Sequence, residues 1–276
     1  MKKTFKKAFI CLPLFGLALT GCSNSSRNNG DGMFVTGRNE QGLAFYLTDN
    51  NEYYVSQGTS TMLSKIVIPK TYNDLPVTGV LDFEGHPMKS LEISEGIKYI
   101  SAGAFKACVS LASVVVPNSL TYMGYRAFDN CTSLRFNEYS GCSYLGNPEN
   151  PYVALIENNN DKSTSCDIND KSKAIAPYAF RSSNLTSVDI PNGVVSIGEN
   201  AFQYCYSLTS ARIPNSVTLI GIGAFYGCLY LDEIFFEGSM KEWRAIEKGA
   251  RWHVDVRAAR VICKDGSVPI SDGETA

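Results

Sequence analysis

LTSVDIPNGVVSIGENAFQYCYS (185–207) runs directly into LTSARIPNSVTLIGIGAFYGCLY (208–230), two stretches of 23 residues that agree position by position. Leu185 matches Leu208, Ile190-Pro191 matches Ile213-Pro214, Ile197-Gly198 matches Ile220-Gly221, and Cys205 matches Cys228. A fixed period of this length is the mark of a repeat architecture. Upstream, MKSLEISEGIKYISAGAFKACVS (88–110) and LASVVVPNSLTYMGYRAFDNCTS (111–133) fit the same template without a gap. All four copies keep Ala-Phe (Ala104-Phe105, Ala127-Phe128, Ala201-Phe202, Ala224-Phe225) and a cysteine (Cys108, Cys131, Cys205, Cys228).

Within a copy the apolar spacing fits neither a helix nor a long strand. In LTSVDIP, Leu185, Val188 and Ile190 alternate with Ser187 and Asp189, the pattern of a short half-buried strand. Pro117, Pro191 and Pro214 stop the strand, because proline cannot donate to a ladder. Asn-Gly or Asn-Ser follows, which is turn chemistry. The second half supplies Val194, Ile197, Ala201, Phe202 and Cys205 to another apolar wall. One copy cannot bury these faces alone; stacked copies can, with strands about 4.8 Å apart. The expected fold is a β-rich repeat solenoid of short parallel strands, with few or short helices and a cap at each end.

The pattern L-x-x-[VA]-x-I-P-x-x-V-x-x-I-G-x-x-A-F-x-x-C-x-x resembles the BspA-like branch of the leucine-rich repeats. Proline stands here where the general leucine-rich signature has its Asn or Cys. The resemblance covers about residues 63–263. It implies a curved solenoid on a bacterial surface, with roles in adhesion and protein binding and no enzymatic activity.

The N-terminus reads as an export signal. Lys2, Lys3, Lys6 and Lys7 precede an apolar run from Ala8 to Leu19, too short for a comfortable membrane span. Leu19-Thr20-Gly21-Cys22 resembles a lipobox, which makes residues 1–21 a lipoprotein signal peptide and Cys22 the lipidated residue. The polar stretch 22–32 is then a tether, and the chain is a membrane-anchored lipoprotein on the outside of a bacterial cell. Without residues 1–21 the chain carries 21 basic and 27 acidic residues, a net charge near −6. That balance, with no Lys/Arg cluster, excludes nucleic acid as a partner.

Residues 33–62 read as an N-terminal β cap whose GLAFYL and EYYVS segments form a hairpin over the first strand edge. The solenoid spans 63–238, opening with a degenerate copy, LSKIVIPKTYNDLPVTGV (63–80). Its register breaks after Ser133, and residues 143–170 form a hairpin-like insertion whose aromatic and aliphatic residues suggest packing. Residues 239–276 form the C-terminal cap: Ser239 and Glu242 have capping-box spacing, Trp243 and Ile246 would stripe a helix ending at Gly249, and Val261–Cys263 would be a last strand.

Catalytic motifs are missing from the sequence. His86 and His253 stand outside any motif, and GIGAFYG (221–227) is the repeat's own Ile-Gly-x-x-Ala-Phe position, not a phosphate loop. No C-x-x-C occurs, so neither metal nor other cofactor is expected. Seven cysteines remain outside the leader and Cys22, an odd number that argues against a full disulfide framework, although in-register neighbours could come within bridging distance. Recognition is left to the surface. Ser90, Ser113, Ser187 and Ser210 form a constant outward row beside a variable one that includes Glu92, Asp189 and Arg212. Tyr144 and Tyr152 mark the insertion as a second candidate. The expected partner is a protein at the cell surface, with a glycan as the alternative.

Overall fold

A computed structural model describes residues 35–271; the leader and the whole tether, Cys22 included, lie outside the described residues. The template's two strand segments form two separate ladders. Leu-x-x-Val-x-Ile segments line up in parallel as Lys65–Ile68, Ser90–Ile93 and Ser113–Val115, and again as Ser187–Asp189, Ser210–Ile213, Glu233–Phe236 and Arg260–Cys263. Equivalent residues pair across turns: Ser187 with Ser210, Val188 with Ala211, Asp189 with Arg212. The Ile-Gly segments form the second ladder, through Leu75–Val80, Tyr99–Ile100 and Tyr122–Met123, then Ala174–Ile175, Ser196–Ile197 and Leu219–Ile220.

A third side carries the Ala-Phe segments. Their phenylalanines stack along the axis: Phe83 on Phe105 at 5.5 Å, Phe105 on Phe128 at 5.1 Å, Phe180 on Phe202 and Phe202 on Phe225 at 5.0 Å each. Each repeat cysteine donates its S–H to the carbonyl of the phenylalanine one turn earlier, Cys108 to Phe83 and Cys131 to Phe105 at 3.1 Å, Cys205 to Phe180 and Cys228 to Phe202 at 3.0 Å. These four thiols are structural small hydrophobes with a weak donor. Glycine after the isoleucine has a steric cause: a Cβ on Gly198 would lie 2.5 Å from Pro177 N, and one on Gly221 2.5 Å from Glu199 N.

The caps depart from expectation in detail. The strands Ala44–Leu47 and Tyr53–Ser56 do form the expected hairpin, with Val35–Arg38 beside it, but it extends the second ladder through Tyr53–Ser56 and Leu75–Val80. The edge of the first ladder meets the side chain of Gln41 instead, which accepts the Val67 N–H at 3.3 Å. At the other end the capping box forms: Ser239 Oγ accepts the Glu242 N–H, and Glu242 accepts the Ser239 N–H at 2.7 Å. The helix is only Met240–Ala245 and does not reach Gly249, because Glu247–Lys248 is drawn into the second ladder beside Leu219–Ile220. Buried Lys248 donates to the carbonyls of Trp243 and Ile246 at 2.6 and 3.1 Å, satisfying the helix's last turn. Arg260–Cys263 is followed by an antiparallel return, Gly266–Pro269, that closes the first ladder.

The insertion is woven into the stack. Cys142–Leu145 and Ala154–Asn158 pair antiparallel, with Asn137–Tyr139 on the outer side. Ala154 and Leu155 then pair with Ala174 and Ile175, taking the second-ladder place of a whole turn, while Gly146 bridges Val115 of the first ladder. Buried side chains group into two cores that adjoin at this point.

Phe202→Ala should cost about 3–5 kcal/mol in denaturant unfolding, since it removes a buried ring from the middle of the spine. Gly221→Ala should also destabilise, whereas a neutral result would mean that turn spacing relaxes freely. Glu242 is held below the ordinary glutamate range, first by the Ser239 backbone N–H and then by its hydroxyl. A depressed folded pKa contributes stability above the unfolded value and loses it as pH falls through the folded one. Proteolysis within 239–246 should therefore rise on acidification below about pH 4, and Glu242→Gln should remove that pH dependence.

Candidate interaction surfaces

The outward face of the first ladder carries the expected serine row, half-buried to exposed, flanked by Lys65 at one end and Glu233 at the other. Beside it, the variable row is charged but self-neutralised. Glu92 pairs with Lys65 at 3.0 Å. Arg212 lies between Asp189 and Glu237 at 4.0 and 3.5 Å, with its guanidinium 5.2 Å from the Phe235 ring centroid. Ser187, Asp189, Ser210, Arg212 and Phe235 line a shallow depression of about 160 Å³. Asp189 and Arg212 thus share one patch, while Glu92 belongs to the other stretch of the ladder, before the insertion.

The insertion's tyrosines do not present a common surface. Tyr144 is fully buried, packed at 5.5 Å against Tyr152 and 6.5 Å against Tyr139, and its hydroxyl accepts the Asn169 N–H at 3.3 Å. Burial pushes its phenol pKa up. Its place on a strand woven into the stack turns it inward, so as a surface contact it is replaced by Tyr139, which is exposed; Tyr152 is half-buried.

A patch unforeseen in the sequence lies just past the repeat cysteines. Tyr206, Leu229 and Tyr230 are about half exposed, at 52, 48 and 56%. Tyr204 joins them, its ring 5.8 Å from Tyr206 and 5.5 Å from Tyr226, and the Arg251 guanidinium lies 5.0 Å from the Tyr226 centroid. Tyr206 follows Cys205, and Leu229 and Tyr230 follow Cys228, on consecutive turns; Tyr206 and Leu229 hold the same repeat position, so the 23-residue period places those two side by side. Large apolar residues at positions the core does not need were the available signal. Exposed contiguous aromatics are the composition of interface cores.

His86 is buried, its Nε2 2.6 Å from Ser60 O and its Nδ1 accepting the Met88 N–H at 3.0 Å, which pins a loop. His253 stacks on the Trp252 ring at 4.8 Å. Among the described residues no group of three or more His, Cys, Asp and Glu side chains is placed to hold a metal ion, and no helix is long and apolar enough to cross a membrane. Arg212→Ala should change unfolding free energy by less than about 1 kcal/mol, since its ion pairs are exposed. A loss of several kcal/mol would show that the charged row serves the fold.

No curated protein matches the chain. Among solved structures, it is similar to the T. pallidum leucine-rich repeat protein TpLRR, at 22% identity over 79% of this chain and 88% of that one, with a TM-score of 0.39. A leucine-rich cell surface protein from Faecalibacterium prausnitzii also gives 22% identity and 0.39, over 86% of this chain and only 56% of that one. The pneumococcal vaccine antigen PcpA gives 13% and 0.37, over 88% and 91%. The model of the BspA type leucine-rich repeat region matches six copies, over residues 79–147 and 158–247. The chain belongs to the BspA type leucine-rich repeat family.

Proposed function

We propose that this protein is a lipid-anchored, non-catalytic binding protein of a bacterial cell surface, whose ligand is another protein. Family and fold are typical of binding scaffolds. The observation that carries the reading is the exposed cluster of Tyr206, Leu229 and Tyr230, which a rigid stack holds at fixed spacing without using it in the core. Aromatic anchors of this kind supply much of the energy of protein–protein contacts. The neutralised charge row beside Asp189 and Arg212 would supply a polar rim and not a strong electrostatic attraction. Anchoring rests on the lipobox-like Leu19–Cys22 and the polar tether after it.

Two measurements test this. Cys22→Ser should abolish labelling by a palmitate analogue and move the protein from the membrane fraction to the medium; unchanged membrane association would sink the anchor. Residues 30–276 should bind a protein from a panel of envelope, host-matrix and glycan ligands, and Tyr206→Ser with Tyr230→Ser should weaken that binding at least tenfold, typical of losing two hot-spot rings. Binding only to glycans would overturn the choice of a protein ligand. Binding that survives the double variant would move recognition off this patch.

A further inference from the structure

The third side of the solenoid is interrupted once. In the ordinary turns three amides at alternate residues donate to carbonyls of the next turn. Gly103, Phe105 and Ala107 donate to Tyr125, Ala127 and Asp129 at 2.9, 2.8 and 2.8 Å. Tyr178, Phe180 and Ser182 donate to Glu199, Ala201 and Gln203 at 3.0, 2.7 and 2.8 Å. Asn200, Phe202 and Tyr204, then Gly223, Phe225 and Gly227, repeat the pattern. Arg126, Phe128 and Asn130 occupy the same three positions, yet among the described residues nothing accepts from their amides. Across the gap, the carbonyls of Pro177 and Arg181 are equally unclaimed, and the one between them, Ala179, takes the Asn158 N–H at 2.8 Å.

The insertion causes the gap. Its strand fills the second-ladder place of a turn but leaves the stack after Asn158, which stands where other turns place phenylalanine. Phe128 therefore stacks on Phe105 alone and stays half-buried, whereas Phe105, Phe180, Phe202 and Phe225 are fully buried. The result is a groove of about 610 Å³ lined by Tyr125, Arg126, Phe128, Phe136, Ile156 and Tyr178, with the two tyrosine rings meeting at 5.0 Å.

We propose that this groove is a binding site for an extended segment of a partner protein. Carbonyls at alternate residues of the segment take the amides of Arg126, Phe128 and Asn130, and an apolar side chain, aromatic by preference, seats on Phe128 and continues the ring stack. Three free amides at alternate residues complement the carbonyls of an extended polypeptide, and the groove is continuous with the interface that joins every other pair of turns. Its charges are mixed, Arg126 and Arg181 against Asp129, Glu157 and Asp161, which does not suit a polyanion. This deepens the protein-binding reading, but its test reads backbone amides and is independent of the Tyr206 patch.

The probe is an end-capped peptide of residues 197–204, Ile-Gly-Glu-Asn-Ala-Phe-Gln-Tyr, the segment that fills this place in a complete turn. Amide exchange and NMR shifts are followed in the folded chain. The amides of Arg126, Phe128 and Asn130 should exchange at least tenfold faster than those of Phe105 and Phe202, then slow and shift saturably as peptide is added. Replacing the peptide's phenylalanine with alanine should weaken this at least about tenfold. Equal protection in the free monomer, or a peptide that moves none of the three, would overturn the proposal. Protection that appears only on dimerisation would give the groove to a second copy and overturn the partner named here. Loss of the peptide's effect in the Tyr206→Ser, Tyr230→Ser variant would place binding on that patch instead.

A different observation concerns two cysteines outside the repeat positions. Cys142 Sγ, buried on the insertion's strand, lies 2.8 Å from the half-exposed Cys166 Sγ, within about 0.8 Å of an S–S bond length. The geometry assigns Cys142 and Cys166 as a redox-active pair that closes a covalent loop across the insertion. The contact with Cys142 lowers the Cys166 pKa, making Cys166 the attacking thiolate. It displaces one thiolate from a small external disulfide such as oxidised glutathione. Cys142, deprotonated, then attacks the mixed disulfide at Cys166 Sγ and releases the second thiol, so that two protein thiols and one disulfide become one protein disulfide and two small thiols. After incubation of the folded chain with oxidised glutathione and alkylation, a non-reducing digest should yield linked peptides containing Cys142 and Cys166, while Cys108, Cys131, Cys205 and Cys228 are alkylated only after unfolding. Free Cys142 and Cys166 after that treatment, or a link between repeat cysteines, would overturn the assignment.

Discussion

Everything in this structure depends on adjacent turns lying one strand spacing apart on every side at once. Two parallel ladders fix that spacing on two sides, and the alternate amide-to-carbonyl bonds of the Ala-Phe segments fix it on the third. The template's residues answer to that single distance. Glycine follows isoleucine where a Cβ would collide with the backbone of the turn before, phenylalanine rings meet face to face near 5 Å, and each cysteine reaches one turn back to a carbonyl. Because each turn touches only its neighbours, stability accumulates along the stack and the ends need closure. The hairpin at one end and the capped helix, Lys248 and final antiparallel return at the other supply it.

The same constraint explains why an interruption is consequential. A chain that leaves the stack early cannot blur the defect over several turns, because each neighbour is locked to its own partner. The insertion therefore keeps the second ladder nearly in step, meets the first through a single bridge, and keeps only one bond of the third side, from Asn158 N–H to Ala179 O. The opening is lined with main-chain donors and acceptors that the rest of the molecule uses for its own cohesion. Elsewhere the surface carries a charge row that cancels itself and exposed apolar side chains at repeat positions past the cysteines.

The amino-acid sequence by itself determined the solenoid, the first strand and the second apolar wall of each copy, the proline stops, the burial of the isoleucine, phenylalanine and cysteine positions, and the capping box at Ser239 and Glu242. These are legible because each rests on a local rule repeated at a fixed period or on spacing within a few residues. Only the tertiary structure decided which surface residues meet. Tyr144 looked like a surface aromatic and is buried, because its strand was drawn into the stack. Glu247–Lys248 continued a ladder where a helix was expected, because an open edge one turn away offered hydrogen bonds that an eighth or ninth helical residue could not match. Cys142 met Cys166, and three amides lost their partners, through the stacking of segments distant in the chain, and no window along the sequence contains those distances.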